Sequence, residues 1–315
     1  MAVGVNIKKR RVALGLSQQE LADAMGYKTR STIAKIESGE NDVSQSKLRK
    51  FAAVLHTTPE ALIADGAPVL EGAPLLPDLE QLRHNKHIAV ILAGGETGKN
   101  QQNIPSQFIN VHGKPIIVYC MEVYQAHPAV DDIYIVCLAG WERIVNAYAK
   151  QYGITKLKGI VPGGSSGMAS LKNVVDAVKD RYTGEDTLII QESTRPLVSV
   201  ETISKLLRAC SEKGSATICH SMEEYVQFCV GSSKAEYVDR KAMIALQSPE
   251  AHKLSLITRV FENTEGKGPV EESCFTMMLY NQGYDVNFVE GGMNNIKIAR
   301  EEDVATFGAL IRKML

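Results

Sequence analysis

The chain has 315 residues, a net charge of −1 and six cysteines. That length exceeds one typical core and predicts two domains, while near-neutrality excludes a general polyanion binder. The cysteines (Cys120, Cys137, Cys210, Cys219, Cys229, Cys274) form no C-x-x-C pair, so mostly buried, reduced thiols are expected rather than structural zinc. No charged-then-apolar leader and no apolar run of about 18 residues occurs, which predicts a cytoplasmic chain that does not span a membrane.

Residues 1–66 form the first predicted domain and are mildly basic, with 10 Lys and Arg against 7 Asp and Glu. Ile7, Leu14 and Leu16 frame a first helix that ends near Gly15. Ser17, followed three residues later by Glu20, is a capping box that starts a second helix, and Gly26 stops it. A third helix over about Arg30 to Ser38 turns Ile33 and Ile36 inward and leaves Thr29, Arg30, Ser31, Thr32 and Lys35 outward. Two short helices of this kind make a helix-turn-helix that fits a major groove; the competing reading is a helical bundle used for protein contacts.

The wording of this region, LSQQELADAMGYKTRSTIAKIESGE followed by LRKFAAVLHTTPEALI, closely resembles the Xre/Cro-type helix-turn-helix family. The resemblance implies binding to double-stranded DNA through Gln18 and the helix around Arg30–Lys35, with Lys8, Lys28, Ser44 and Lys47 near phosphates. One residue more than the commonest spacing lies between Gly26 and Ile33. Residues 67–86, with Pro68, Pro74 and Pro77, read as an extended linker.

From residue 87 to 315, strand-like and helical runs alternate: HIAVILAGG, a helix over KPIIVYCMEVYQAH, DDIYIVCLA, a helix from Trp141, GIVPGG, a helix over Gly167–Arg181, TLIIQES, and a helix over Val200–Lys213. This order predicts an α/β domain with a mainly parallel sheet and ligands at the carboxyl ends of its strands. Four polar segments fall there, at 93–107, 162–170, 191–196 and 294–298. Residues 221–241 read as a β-hairpin turning at Gly231-Ser232-Ser233.

Six of these segments, in order, resemble the cytidylyltransferases of 2-C-methyl-D-erythritol 4-phosphate and ribitol 5-phosphate. They are LAGGETGK, IPSQF-x3-HGKPI, PGGSSGMASLKN, IIQESTRPLVS, VDR-x6-QSPEAHK and NNIKIAREEDV. The resemblance implies a Rossmann-like nucleotide-diphospho-sugar transferase fold. It also implies transfer of a cytidylyl group from CTP to a polyol phosphate, and a hairpin arm that clasps a second subunit into a homodimer. Ala93, Gly94, Gly95, Gly98, Gly163, Gly164, Ser170 and Glu192 are the implied nucleotide contacts. Lys99, Lys297 and Arg240 are the implied catalytic cations, and Glu192 is the ligand for Mg2+ when nucleotide is bound.

Such chemistry rests on positive groups aimed at charge that grows on the phosphates, and here the pattern departs from the family. Ser106 stands where the family has its catalytic lysine, Lys99 replaces the loop arginine, Glu192 replaces an aspartate, and Gly98 is displaced one position. Arg195 reads as closing a structural salt bridge. Lys297, between two isoleucines, calls for a phosphate or carboxylate partner, with Glu271 and Glu272 as candidates. Two functions from different classes fit. One is a transcriptional regulator whose weakened transferase domain senses a cytidine nucleotide or CDP-alcohol; the other is a working cytidylyltransferase with a DNA-binding appendage. The changes at Ser106 and Lys99 favour the regulator. A DNA-binding protein that only dimerises through its second domain is the third option.

Overall fold

In the computed structural model of the protein, residues 2–13, 16–55, 62, 84–95, 104–222, 227–230, 235–264, 266 and 272–314 are described. The chain divides into two compact units, 1–81 with 309–315, and 82–308.

The first unit contains α1 (Ala2–Ala13), α2 (Gln18–Met25), α3 (Arg30–Glu37) and α4 (Gln45–Val54). The predicted capping box is present: the Ser17 side chain accepts from Glu20 N, and the Glu20 carboxylate accepts from Ser17 N. Gly26 ends α2 in the left-handed region at φ 75°, where glycine carries no Cβ penalty. Ile7, Leu21, Ile33, Phe51 and Leu55 are fully buried and make the core. One ion pair lies inside it. Arg11 Nε donates to Glu37 Oε1 at 2.5 Å and Nη2 donates to Glu37 Oε2 at 3.0 Å, while Nη1 donates to the Leu16 carbonyl. All the guanidinium's bonds are to groups of the fold, which offsets the desolvation that burial imposes on a charge.

The second unit begins with β1 (His87–Ala93), β2 (Asn110–Val111), β3 (Lys114–Pro115), α5 (Ile116–Ala126), β4 (Asp132–Cys137), α6 (Glu142–Gln151) and β5 (Leu157–Pro162). It continues through α7 (Gly167–Val178), β6 (Thr187–Glu192), α8 (Val200–Lys213), β7 (Ser215–Ser221), β8 (Gln227–Val230) and β9 (Ala235–Val238). β10 (Ile244–Lys253), α9 (Leu254–Glu262), α10 (Phe275–Asn281) and β11 (Phe288–Glu290) follow, and α11 (Glu301–Met314) belongs to this unit as far as Gly308. Seven strands make one sheet in the order β11-β7-β10-β6-β1-β4-β5. β1 pairs in parallel with β4 and β6, and β4 with β5. β10 runs antiparallel between β6 and β7.

After His87 and Asp132, β1 and β4 are apolar to their ends because both faces are covered, as in a parallel sheet wrapped by helices. On one face Ile88, Val90, Val136 and Ile190 pack with Leu171, Val174 and Val178 of α7, Ile257 and Val260 of α9, and Phe275 and Met278 of α10. α5 and α8 pack together as another helical pair of this unit. β10 was not foreseen from the sequence. Its register slips between Gln247 and Glu250, around Pro249, and a bulge is where a sheet tolerates proline. The expected hairpin forms between Gln227–Val230 and Ala235–Val238; its turn, 231–234, and the linker 67–83 lie outside the described residues. No described helix is long and apolar enough to cross a membrane.

Candidate nucleotide cleft and DNA-facing helix

The carboxyl ends of β1 and β5 meet at glycines for a steric reason. A Cβ on Gly94 would lie 3.1 Å from Gly163 Cα and 3.3 Å from Val136 Cγ1. One on Gly164 would lie 2.7 Å from the Ala169 carbonyl carbon and 2.8 Å from Ser170 N. Gly164 N donates to Ser170 Oγ at 2.9 Å, and Gly163 N donates to the Cys137 carbonyl at 3.1 Å. Ala93, Gly94, Gly163, Gly164 and Ser170, far apart in sequence, therefore share one place. Gln107, 2% exposed, donates to the Ala93 and Gly95 carbonyls at 3.1 and 2.8 Å and pins the end of β1. Sequence reasoning missed that role. Gly98 and Lys99 lie in residues 96–103, outside the described residues.

A cleft of about 550 Å³, whose lining includes Gly95 and Gln107 but not Ala93, Gly94, Gly163, Gly164 or Ser170, runs across the sheet ends, past Glu192 at the end of β6, to Thr217 on β7 and Glu250 on β10. Ser106 is 1% exposed in a short 3-10 turn beside the cleft residue Gln107. Gly167 lines the cleft at the first turn of α7, and a Cβ there would meet nothing within 4 Å. Phe108 stacks on Trp141 at 4.0 Å between centroids and 4° between planes, fixing the segment after Gln107 against the end of β4.

Glu192 is the electrostatic centre of the cleft. Lys297 Nζ donates to Glu192 Oε1, and Arg195 Nε donates to Oε2 at 2.7 Å. Burial pushes the Glu192 carboxyl up, but Lys297 and Arg195 outweigh it and hold the group below the ordinary value. The partner of Lys297 is thus Glu192, not Glu271, which is outside the described residues, nor Glu272, which accepts from Asn281. Arg195 does close the expected salt bridge, and it also donates to the Asn295 carbonyl at 2.9 Å.

Both oxygens of Glu192, the expected Mg2+ ligand, face cations, so a metal held there with nucleotide would have to displace Lys297 or Arg195. Arg240, exposed in a 3-10 turn after the hairpin, does not line the cleft of its own chain.

The far end of the cleft holds a second carboxylate. This is Glu250, 5% exposed. It accepts from Phe275 N at 3.0 Å, Thr276 N at 2.9 Å and Thr276 Oγ1 at 2.7 Å, all at the start of α10. His252 Nε2 lies 3.3 Å away. Burial raises this carboxyl too, and His252, Thr276 and Phe275 N together bring it below its ordinary value. Of the cysteines, Cys120, Cys137, Cys210 and Cys219 are buried free thiols and Cys274 is half-buried; burial pushes Cys137 and Cys210 up to about 12.

In the helical unit, Thr29, Arg30, Ser31 and Lys35 are exposed on and before α3, whereas Thr32 is half-buried. Thr29 Oγ1 and Ser31 Oγ are hydrogen-bonded at 2.8 Å. Gln18, expected at DNA, is half-buried and donates one N–H of its amide to Glu37 Oε2 at 2.9 Å, which leaves its second N–H and its carbonyl for a ligand. Lys8, Lys28, Ser44 and Lys47 are exposed.

An open, mainly parallel sheet with a cleft across its strand ends, preceded by a unit whose described residues include four helices with an exposed polar third one, defines a helix-turn-helix protein with a nucleotidyltransferase-type α/β domain. Residues 87–313 match the family model for 2-C-methyl-D-erythritol 4-phosphate cytidylyltransferase, and residues 7–62 match that for a helix-turn-helix. The chain belongs to this cytidylyltransferase family. It is 30% identical over 229 residues to ribitol-5-phosphate cytidylyltransferase of Lacticaseibacillus paracasei, covering 71% of this chain and 97% of that one. It is 33% identical over 228 residues to the protein of that name in Streptococcus agalactiae serotype III, covering 71% and 95%. Among solved structures, 4-diphosphocytidyl-2C-methyl-D-erythritol synthase of Anaerococcus prevotii has the same fold, with a TM-score of 0.64 at 17% identity, covering 75% of this chain and 100% of that one.

Proposed function

We propose that this protein is a cytoplasmic, DNA-binding transcriptional regulator whose α/β unit senses a cytidine nucleotide or CDP-alcohol and has lost most of its transferase activity. The observation that carries the reading is the state of the cleft's positive charge. Cytidylyl transfer sends an acceptor phosphate oxygen to the α-phosphorus of CTP and expels pyrophosphate, so it depends on cations aimed at the phosphates. Here a buried Ser106 occupies the lysine position, and Lys297 and Arg195 are both paired with Glu192. Losing one preorganised charge commonly lowers turnover by about 10²–10³. Gly94, Gly163, Gly164 and Ser170, to which the resemblance assigns cytosine and ribose, pack together at the ends of β1 and β5, which is compatible with retained cytidine binding.

The decisive experiment is pyrophosphate release from CTP over a panel of polyol phosphates that includes ribitol 5-phosphate. Background-level release, with cytidine-ligand binding by calorimetry, supports the sensor; robust turnover overturns it. The reading of a working enzyme with a DNA-binding appendage is favoured by the retained Lys297–Glu192 pair and by the names of the relatives, and that outcome would establish it.

The hairpin suggests a homodimer. A two-stranded arm is marginal in isolation, and Tyr237 on it and Ile244 after it are 60% and 42% exposed. A dimer presents two recognition helices to half-sites about 34 Å apart. A monomer by light scattering at micromolar concentration, or binding only to single non-repeated sites, would remove this part.

A further inference from the structure

The described cleft is electrically balanced, and that bears on which cytidine compound it takes. Its charged lining residues are Glu192, Arg195, Glu250 and Lys297, two of each sign. Both cations face Glu192. Glu250 is kept ionised by the amides of α10, Thr276 and His252. At Ser106, where the resembled family has its catalytic lysine, the side chain is neutral.

Building on the cytidine-ligand reading above, we propose that the cleft selects the low-charge product form, a cytidine diphospho-alcohol, over CTP. At neutral pH a diphospho-diester carries roughly two negative charges and CTP roughly four. Each phosphate beyond what Lys297 and Arg195 neutralise meets no further cation among the described residues, and the carboxylate of Glu250 repels it. An uncharged polyol has the opposite preference. The far end of the cleft offers it hydroxyl and amide groups on Thr217, Gln247, Ser248 and Ser273. Gln247 accepts from Asn295 Nδ2 at 3.1 Å, which leaves its own NH2 group without a partner among the described residues. A site with these properties reports on an accumulated product rather than on the general nucleotide pool.

The test is calorimetric titration of the full-length protein with CDP-ribitol, CMP and CTP, each in EDTA and in excess Mg2+. CDP-ribitol binding about tenfold or more tighter than CTP in both buffers is the expected result. CTP binding as tightly as CDP-ribitol, or more tightly, in either buffer overturns the selection while leaving the cytidine-sensor reading standing. Binding of none of the three overturns both. Glu192→Gln, checked for an unchanged melting temperature, releases Lys297 and Arg195 and should tighten CTP about tenfold or more while moving CDP-ribitol less. Unchanged CTP affinity in a folded Glu192→Gln protein refutes the charge-balance argument.

Discussion

Glu250→Gln is close to isosteric, yet it should destabilise the α/β unit strongly. The carboxylate faces four donors: Phe275 N, Thr276 N, Thr276 Oγ1 and His252 Nε2. An amide offers one acceptor oxygen. If that oxygen keeps the Thr276 and His252 side, its NH2 group is turned towards Phe275 N, and a buried donor without an acceptor costs about 1–3 kcal/mol. The remaining bonds pass from charge-assisted to neutral, each weaker by roughly 1 kcal/mol, although Thr276 Oγ1 relaxes by turning to Thr217 Oγ1. The sum is about 3–5 kcal/mol, or a fall of about 10 °C in melting temperature for a unit of this size.

Thermal melts by circular dichroism at pH 7 measure the loss, and a pH series tests its cause. The folded carboxyl lies below its ordinary value of 4.5, so its stabilisation is present above that pH and is lost as pH falls through the folded value. The gap between wild type and Glu250→Gln should therefore be constant above about pH 5 and shrink below 4.5. A loss under about 1 kcal/mol at pH 7, or a gap that widens in acid, would refute the assignment of Glu250 as a charged cap.

Arg11→Met leaves Glu37 buried and unpaired, so the helical unit should lose about 3–5 kcal/mol, with Arg11→Met/Glu37→Met recovering most of it in the same melt. Arg30→Ala and Lys35→Ala should each weaken DNA binding, and each should lower the salt-dependence slope in fluorescence anisotropy by about one if the contact is to phosphate. Ser106→Lys should raise pyrophosphate release from any residual rate by up to about 10²–10³. Because Ser106 is 1% exposed, a melt must accompany that assay; no gain in a variant with an unchanged melting temperature would show that the missing lysine is not what limits turnover.

Local signals carried the fold a long way. The capping box at Ser17 and Glu20 and the stop at Gly26 are short-range chemistry, and both are realised. The apolar runs at 88–92 and 133–137 announced strands of a parallel sheet, and both of their faces are covered. β10 escaped notice because SPEAH has no alternation and Pro249 reads as a strand breaker, a reading that a bulge inside the sheet undoes. The site was legible only as a set of segments. The Glu192–Lys297 pair joins residues 105 apart and the Arg11–Glu37 pair residues 26 apart; nothing local in sequence selects either partner. Gln18 looked like a DNA contact by resemblance, and the packing of α2 on α3 gives its amide a nearer acceptor.

The placing of β10 between β6 and β7 also sets a timetable. β6 is complete at Glu192 and β7 at Ser221, but the strand that joins them begins only at Ile244. At a translation rate of about 5–20 residues per second, the ribosome leaves β6 waiting for roughly 3–10 s. Through that interval the nascent chain carries two unsatisfied strand edges, which are templates for pairing with neighbouring copies. A message truncated between codons 222 and 243 should therefore yield insoluble protein rather than a smaller folded domain.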